Sequence, residues 1–494
     1  MKVNKLIYYS DYKKKGDTGV YFLSNEPDNF KDNYIEEMRQ HLYKNDGFSG
    51  KLLEIEYFKL ARDHNPNRVI LVGMGNKKML SSDELREAVT KIIKKAKILK
   101  SKNIDFNIPK IENEEKLKKI IRIISEKSVL SNYEFSKYKK NKEHSISETR
   151  IVLENRISKE LNESVKEGYI LGESNILSRN LVNEPANILD PQELSKKVEY
   201  LGKQYGFEVE VLNEKQIESL NMNAYLSVAE GSTKPPRFIV MKYLKNKQQK
   251  NRTIGLVGKG VTYDSGGLSI KESDSMLNSK YDMAGAAAVI GTMTAISKMN
   301  LRVNVVAVVA ACESMLSGNS YKPGDIVYTM SGKSVYIENT DAEGRLTLAD
   351  AIHYIIEKEK VDKIIDIATL TGAVIKILGN AATGVVSNND EFYKELENAS
   401  RESGEKIWRL PIFEDYRKAL EANDADITNR SGNPTTITAA MFIEEFVQDK
   451  AWIHMDIAGT ALYTKNSKLG KGSTGVGVTI LYHLIKEFSS DLLK

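Results

Sequence analysis

One cysteine, Cys312, serves a chain of 494 residues. No intramolecular disulfide can form, and no cysteine-rich zinc module can be built. Histidine is scarce as well. His41, His64, His144, His353, His454 and His483 are the only six, and they make no HExxH or comparable pair. A metal held by this chain must therefore rely on oxygen, with lysine nitrogen as the further donor. Nowhere does the sequence run through the roughly 18 consecutive apolar residues that a membrane helix needs. The most obvious apolar stretch, Val305 to Cys312, is short and strand-like. The opening MKVNKLIYYSDYKKKGD lacks the apolar core of an export signal, so a cytoplasmic enzyme or binding protein is expected. Charge of one sign is lacking too: 72 basic residues face 67 acidic ones, a net +5. That argues against a chain built mainly to coat nucleic acid. Hydrophobic residues at 41% and charged residues at 28% belong to a folded protein.

What is present divides by composition. The first 155 residues are lysine-rich and poor in glycine. Val69 to Gly75 reads as a buried strand ending in a glycine turn, and helices are predicted over Asp83–Lys100 and Glu114–Lys127. Ile92, Ile93, Ala96 and Leu99 recur at helical spacing, so the surrounding lysines read as a solvated face. Lys137, Lys139, Lys140 and Lys142 are assigned to a loop. Ile157, Leu161, Val165 and Tyr169 predict a long helix from about Ile151 to Leu177, followed by SRNLVNEPAN (178–187), whose Asn-Glu-Pro-Ala-Asn run reads as a loop. Beyond it, strands are predicted at Phe238–Tyr243, Thr253–Val257, Val303–Ala310, Lys363–Ala368 and Trp452–Ile457, with helical stretches between. The expected architecture is α/β. A smaller N-terminal α/β domain at 1–155 is joined by a helix at 156–178 to a larger α/β domain at 179–494 with a mostly parallel central sheet. Ligands of such sheets sit at the carboxyl ends of the strands.

Three segments at those ends carry charge. Gly258 to Gly267 superficially resembles a phosphate loop, but Gly260 stands where Ser or Thr should coordinate magnesium. What remains is Lys259 and Asp264 in a loop, and by itself that segment reads as a tight turn. Asp282 precedes the small-residue run Met283–Val289, and by itself reads as a helix N-cap. Asn339-Thr-Asp-Ala-Glu-Gly-Arg-Leu346 places Asp341 and Glu343 two apart, on one side of an extended loop that Arg345 continues. A helix dipole explains one acid there better than the whole string. Together the segments supply four acids (Asp264, Asp282, Asp341, Glu343) and three cations (Lys259, Lys271, Arg345). Four carboxylates without histidine suit two divalent ions. Lys259 or Lys271 could join them as a neutral amine, and spacing alone does not choose between the two.

NTDAEGRL (339–346) resembles the signature of the leucine (cytosol) aminopeptidase family, dinuclear-metal exopeptidases. NLVNEPAN (180–187), AEGSTKPPRFIVMKY (229–243), VGKGVTYDSGGLSIK (257–271), DMAGAAAV (282–289), DIATLTGA (366–373) and WIHMDIAGTA (452–461) resemble family blocks in the expected order. The resemblance implies an aminopeptidase that hydrolyses N-terminal L-amino acids from peptides through a water bridging two divalent ions, zinc or manganese. Lys259, Asp264, Asp282 and Glu343 would bind one ion, and Asp264, Asp341 and Glu343 the other. Lys271 would face the substrate carbonyl, and Arg345 would hold a bicarbonate acting as general base. Asn339, Thr369, Leu370, Gly372, Ala461 and Ser279 would contact the substrate. Ser279 stands where the family usually has methionine in the pocket for the first side chain. CESMLSG (312–318) and SGNPTTITAAMF (431–442) also depart locally from the family pattern. The resemblance further implies a homohexamer. Competing expectations are a dipeptidase for substrates such as cysteinylglycine, and a DNA-binding regulator with secondary peptidase activity. No aromatic interleaving favours nucleic acid. His353 and His454 are expected to be structural, and Cys312 a buried structural thiol.

Overall fold

The computed structural model describes residues 2–8, 16–24, 47–60, 66–77, 79–141, 144–248, 252–430, 432–463 and 472–490, with backbone only for 2–8 and 490. His41, His64, Lys142 and Ser431 lie outside the described residues. The chain resolves into two compact units, 1–173 and 174–494, and the division falls inside the helix Lys159–Asn183.

The first unit is a six-stranded sheet among the described residues: β1 (Lys2–Tyr8), β2 (Thr18–Leu23), β3 (Ile55–Lys59), β4 (Arg68–Gly73), β5 (Asn103–Ile108) and β6 (Glu148–Leu153), in the order β1-β6-β5-β2-β4-β3. Every neighbouring pair is parallel except β3 with β4. The helices Ser82–Ile98 and Glu114–Asn132 match the predicted pair. Ser81 caps the first in a reciprocal box with Glu84, which satisfies two otherwise orphaned donors. Leu85, Ala88, Val89, Ile92, Ile93 and Ala96 form its buried stripe. The long helix expected from 151 begins later, because Ile151, Val152 and Leu153 form β6. These β-branched and apolar residues are buried between β1 and β5, a position that suits them better than a helix.

The second unit contains β7 (Glu208–Leu212), β8 (Arg237–Leu244), β9 (Thr253–Asp264), β10 (Asn304–Ser314), β11 (Ile326–Tyr328), β12 (Ser334–Tyr336), β13 (Lys363–Ala368), β14 (Thr383–Ser387), β15 (Ile407–Arg409), β16 (Ile427–Thr428) and β17 (Ala451–Asp456). Eight of them form one sheet, β15-β14-β17-β13-β9-β10-β8-β7, in which the central four are mutually parallel; β11, β12 and β16 make a small separate sheet. From β9 the chain crosses to β10 on one side and returns as β13 on the other. The order therefore reverses at β9, and the crevice that opens at such a reversal is where open α/β sheets bind ligands.

Two further expectations are corrected here. The long helix, expected to end near Leu177, continues through Ser178–Asn183, and the Asn-Glu-Pro-Ala-Asn loop follows from Glu184. Side chains near the end of that helix bind the 473–475 segment: Asn175 Nδ2 donates to the Gly475 carbonyl at 2.8 Å, Arg179 Nε donates to the Ser473 carbonyl at 2.9 Å, and Asn183 Oδ1 accepts Ser473 N–H at 2.9 Å. Second, Lys259 and Asp264 are not in a glycine loop. They lie in β9, which runs unbroken from 253 to 264. Its glycines serve close packing. A Cβ on Gly258 would sit 2.7 Å from Ala286 Cα, and one on Gly285 would sit 2.0 Å from the Ile367 carbonyl. The small-residue helix Ala284–Lys298 thus lies directly on β9 and β13, and no larger residue at these positions allows that approach.

Candidate active site

A cavity of about 510 Å³ opens at the carboxyl ends of the central strands. All thirteen residues singled out in the sequence line it: Lys259, Asp264, Lys271, Ser279, Asp282, Asn339, Asp341, Glu343, Arg345, Thr369, Leu370, Gly372 and Ala461. β9 delivers Lys259 and Asp264, the turn after β13 delivers Thr369 to Gly372, and the helix Gly344–Glu357 delivers Arg345. The loop before that helix brings Asp341 and Glu343. It is not extended as expected, since Glu343 already has helical backbone angles at the helix start. A turn, and not strand alternation, makes the two acids converge.

Carboxylate oxygens of Asp264, Asp341 and Glu343 all lie within 4.8 Å of one another. Lysines interleave with the acids. Lys259 Nζ is 2.6 Å from Asp282 Oδ2 and 2.9 Å from Glu343 Oε1, and it donates to the Thr369 carbonyl at 3.0 Å. Lys271 Nζ is 2.7 Å from Asp264 Oδ2 and also bonds Asp341 Oδ1. Asp282 does not cap the helix that follows it. Met283 occupies the N-cap without a side-chain bond, and Asp282 Oδ1 instead accepts the Thr369 hydroxyl at 2.7 Å. Gly344 has a spatial reason to be glycine: its Cβ would lie 2.4 Å from Lys259 Cε.

The electrostatics follow from enclosing so many charges. Burial, then the charge of Glu343, pushes the Asp264 carboxyl up to about 7. Burial likewise raises Asp282 well above the usual carboxylate range and raises Asp341, with Glu343 adding to both. Glu343 goes the other way: burial opposes its charge, but Lys259 and Lys271 outweigh burial. For both lysines burial disfavours the ammonium, and the surrounding acids more than compensate. Arg345 is 4% exposed, burial draws it down to about 10, and its Nε has no hydrogen-bond partner among the described residues. Ser279, 5% exposed in the short turn Ser279–Tyr281, likewise has an unpartnered hydroxyl.

Several structural partners escaped the sequence reading. The Thr340 hydroxyl donates to the Gly266 carbonyl at 2.6 Å and accepts Ser269 N–H at 2.8 Å. It thereby ties the loop carrying Lys271 to the loop carrying Asp341. Asn339 Oδ1 accepts Asp341 N–H at 2.7 Å, and Asn429 Nδ2 donates to the Asn339 carbonyl at 2.7 Å. Asp456 anchors the turn after β13. Its signal was an acid at a strand end, visible in WIHMDIAG. Arg430 and Thr371 also line the cavity. His454 and Cys312 behave as expected. His454 Nδ1 bonds Asp366 Oδ1 at 2.6 Å, and Cys312 is fully buried within β10, where burial pushes its thiol up.

Comparison with known proteins points the same way. A family model described as the cytosol aminopeptidase family, catalytic domain, matches residues 176–482, and the N-terminal domain of the same family matches 28–142. A probable cytosol aminopeptidase of Clostridium perfringens is 46% identical over 449 residues, covering 90% of this chain and 91% of that protein. Its counterpart from Clostridium tetani is 42% identical over 459 residues, covering 92% and 94%. Among solved structures, a mutant tomato leucine aminopeptidase superposes with a TM-score of 0.88 at 31% identity, covering 98% of this chain and 97% of that one. The bottromycin maturation enzyme BotP in complex with Mn superposes at 0.84 with 26% identity, covering 96% and 100%.

Proposed function

The chain belongs to the cytosol aminopeptidase family and is a metal-dependent aminopeptidase, and we propose that it removes N-terminal residues from peptides with two divalent ions held in this cavity. The observation that carries the metal reading is the convergence of Asp264, Asp341 and Glu343 oxygens within 4.8 Å. The donor set fits. Burial and mutual repulsion drive Asp264, Asp282 and Asp341 toward protonation, and added positive charge relieves that tension. Lys259, Asp264, Asp282 and Glu343 would hold one ion, and Asp264, Asp341 and Glu343 the second. Lys259 must lose its proton to take part, which nearby dications favour. When bound, such a pair polarises a carbonyl and lowers the pKa of water from 15.7 toward about 7.

The chain's own residues do the remainder. Lys271 turns its ammonium into the cavity and is our candidate to stabilise the oxyanion that develops on the substrate carbonyl. Arg345 is the candidate holder of a bicarbonate that shuttles the proton from water to the leaving amine. Its buried, unpartnered Nε supports an anionic guest there. Asn339, Thr369, Leu370, Gly372 and Ala461 line the substrate space, and Ser279 in place of a longer apolar side chain makes the first-residue pocket roomier or more polar. Zinc or manganese is our choice of ion, and the manganese complex of BotP supports the second. A homohexamer, a cytoplasmic location and a catalytic domain spanning 179–494 complete the reading. Among the described residues, no helix is long and apolar enough to cross a membrane.

Metal analysis of the dialysed protein, followed by activity rescue with each ion, tests the proposal. We expect about two ions per chain and activity restored by zinc or manganese on aminoacyl substrates. Full activity in metal-free protein would refute it.

A further inference from the structure

The aminopeptidase reading leaves without a role a buried carboxylate behind the turn that lines the cavity. Asp456 ends β17 at 1% exposure. It lies level with Ala368 on the parallel neighbour β13, beside the point where the chain leaves that strand to form the cavity wall. It accepts four hydrogen bonds. Leu370 N–H reaches Oδ1 at 3.2 Å, Thr371 N–H reaches Oδ2 at 3.1 Å, the Thr371 hydroxyl reaches Oδ2 at 2.6 Å, and Ala458 N–H reaches Oδ1 at 3.1 Å. One residue earlier in the same turn, Thr369 gives its carbonyl to Lys259 and its hydroxyl to Asp282. Three consecutive residues are thus bound on one side to the charged cluster and on the other to Asp456.

We propose that Asp456 is a positioning residue of the reaction, which holds the Thr369–Thr371 turn so that Leu370 and Thr369 meet the substrate and the acid–lysine cluster in fixed register. The inference rests on the aminopeptidase reading and adds a residue to it. The chemistry requires a carboxylate: all four donors need acceptor lone pairs, and an amide in its place turns an NH₂ toward N–H groups. A turn that slips by about 1 Å costs on the order of 100-fold in rate when reacting groups depend on it. Asp456 is itself held in a braced wall. Two residues back on β17, His454 binds Asp366, whose other oxygen accepts the Trp452 indole N–H at 2.7 Å. The Thr371 hydroxyl also meets the Thr436 hydroxyl at 2.9 Å.

The test uses full-length, metal-loaded protein, with kcat and KM measured on a panel of aminoacyl substrates alongside metal content and Tm. Asp456→Asn should retain wild-type metal content and lose about 100-fold in kcat/KM. Thr371→Val removes one side-chain donor and should raise KM several-fold at unchanged kcat, while Thr371→Ser, which keeps the hydroxyl, should restore the wild-type value. If Asp456→Asn does not fold, the two Thr371 variants decide. Lowered Tm with unchanged kcat and KM in Asp456→Asn, or identical KM in Thr371→Val and Thr371→Ser, would overturn the proposal while leaving the aminopeptidase reading in place. A metal-loaded wild type unable to cleave aminoacyl substrates would sink both.

Discussion

Both units of this molecule are mostly parallel sheets covered by helices, yet they partner their buried acids differently. In the first unit Asp105, fully buried on β5, is met by Arg150 Nε at 2.6 Å and by Gly16 N–H. Burial raises its carboxyl, and the backbone donor and the arginine offset only part of that rise. In the second unit four acids share the ends of the central strands with two lysines and a buried arginine, and three of the acids are pushed toward protonation. A buried acid with a dedicated partner is a structural device. Acids crowded together at strand ends keep an appetite for further positive charge, and that is what a metal enzyme needs.

That contrast can be broken experimentally. The largest effect is expected at Glu343→Gln or Asp341→Asn, which should lower kcat/KM by about 1,000-fold or more while circular dichroism stays native. Retained turnover in either would remove the metal assignment. Next comes Asp105→Asn. It should destabilise by about 3–5 kcal/mol, because Arg150 loses its buried counter-charge, while kcat of the folded fraction is unchanged. Denaturant titration alongside kinetics reads both, and a stable but inactive variant would erase the distinction between the units.

A third kind of buried acid sharpens the comparison. Asp350 in the second unit accepts Tyr225 N–H at 2.9 Å and Met330 N–H at 2.7 Å, and burial pushes it up to about 7. The unfolded chain ionises this group near pH 4. Stability therefore falls as pH rises from about 4 to 7, since the native state binds the extra proton over that range. Asp350→Asn carries no such proton. The wild type's Tm advantage over it should be greater at pH 5 than at pH 8, and a gap independent of pH would refute the assignment. The smallest effect is expected at Ser279→Met. Preference for apolar first residues should rise by about 10-fold on a fluorogenic aminoacyl panel, and an unchanged ranking would exclude Ser279 from the pocket.

Much of the site was legible because its residues carry rare chemistry in short strings. NTDAEGRL holds two acids and an arginine in eight positions, and DIATLTGA and WIHMDIAGTA mark strand ends by an abrupt change from branched apolar to small and polar residues. Element types were legible wherever periodicity was strong, as at Ile92, Ile93 and Ala96. The failures have a common cause. Gly258 and Gly260 look like turn formers locally, but both lie in a buried strand whose neighbours leave no space for a Cβ. Asp282 looks like a cap locally, but Lys259, 23 positions earlier, lies 2.6 Å from it. Ile151–Leu153 fits a helix by spacing, and becomes a strand because two neighbouring strands bury it.

Sequence alone determined which chemistry was available: an oxygen-rich metal site without histidine or thiolate, acids and lysines at strand ends, and the α/β alternation that produces such ends. Tertiary structure decided which charges share each other's space. Asp264, Asp341 and Glu343 become one site, and Asp456 becomes the anchor of its wall, only when β9, β13 and β17 lie side by side. Pairing between strands distant in sequence is set by burial and hydrogen bonding across the sheet, which no local pattern encodes.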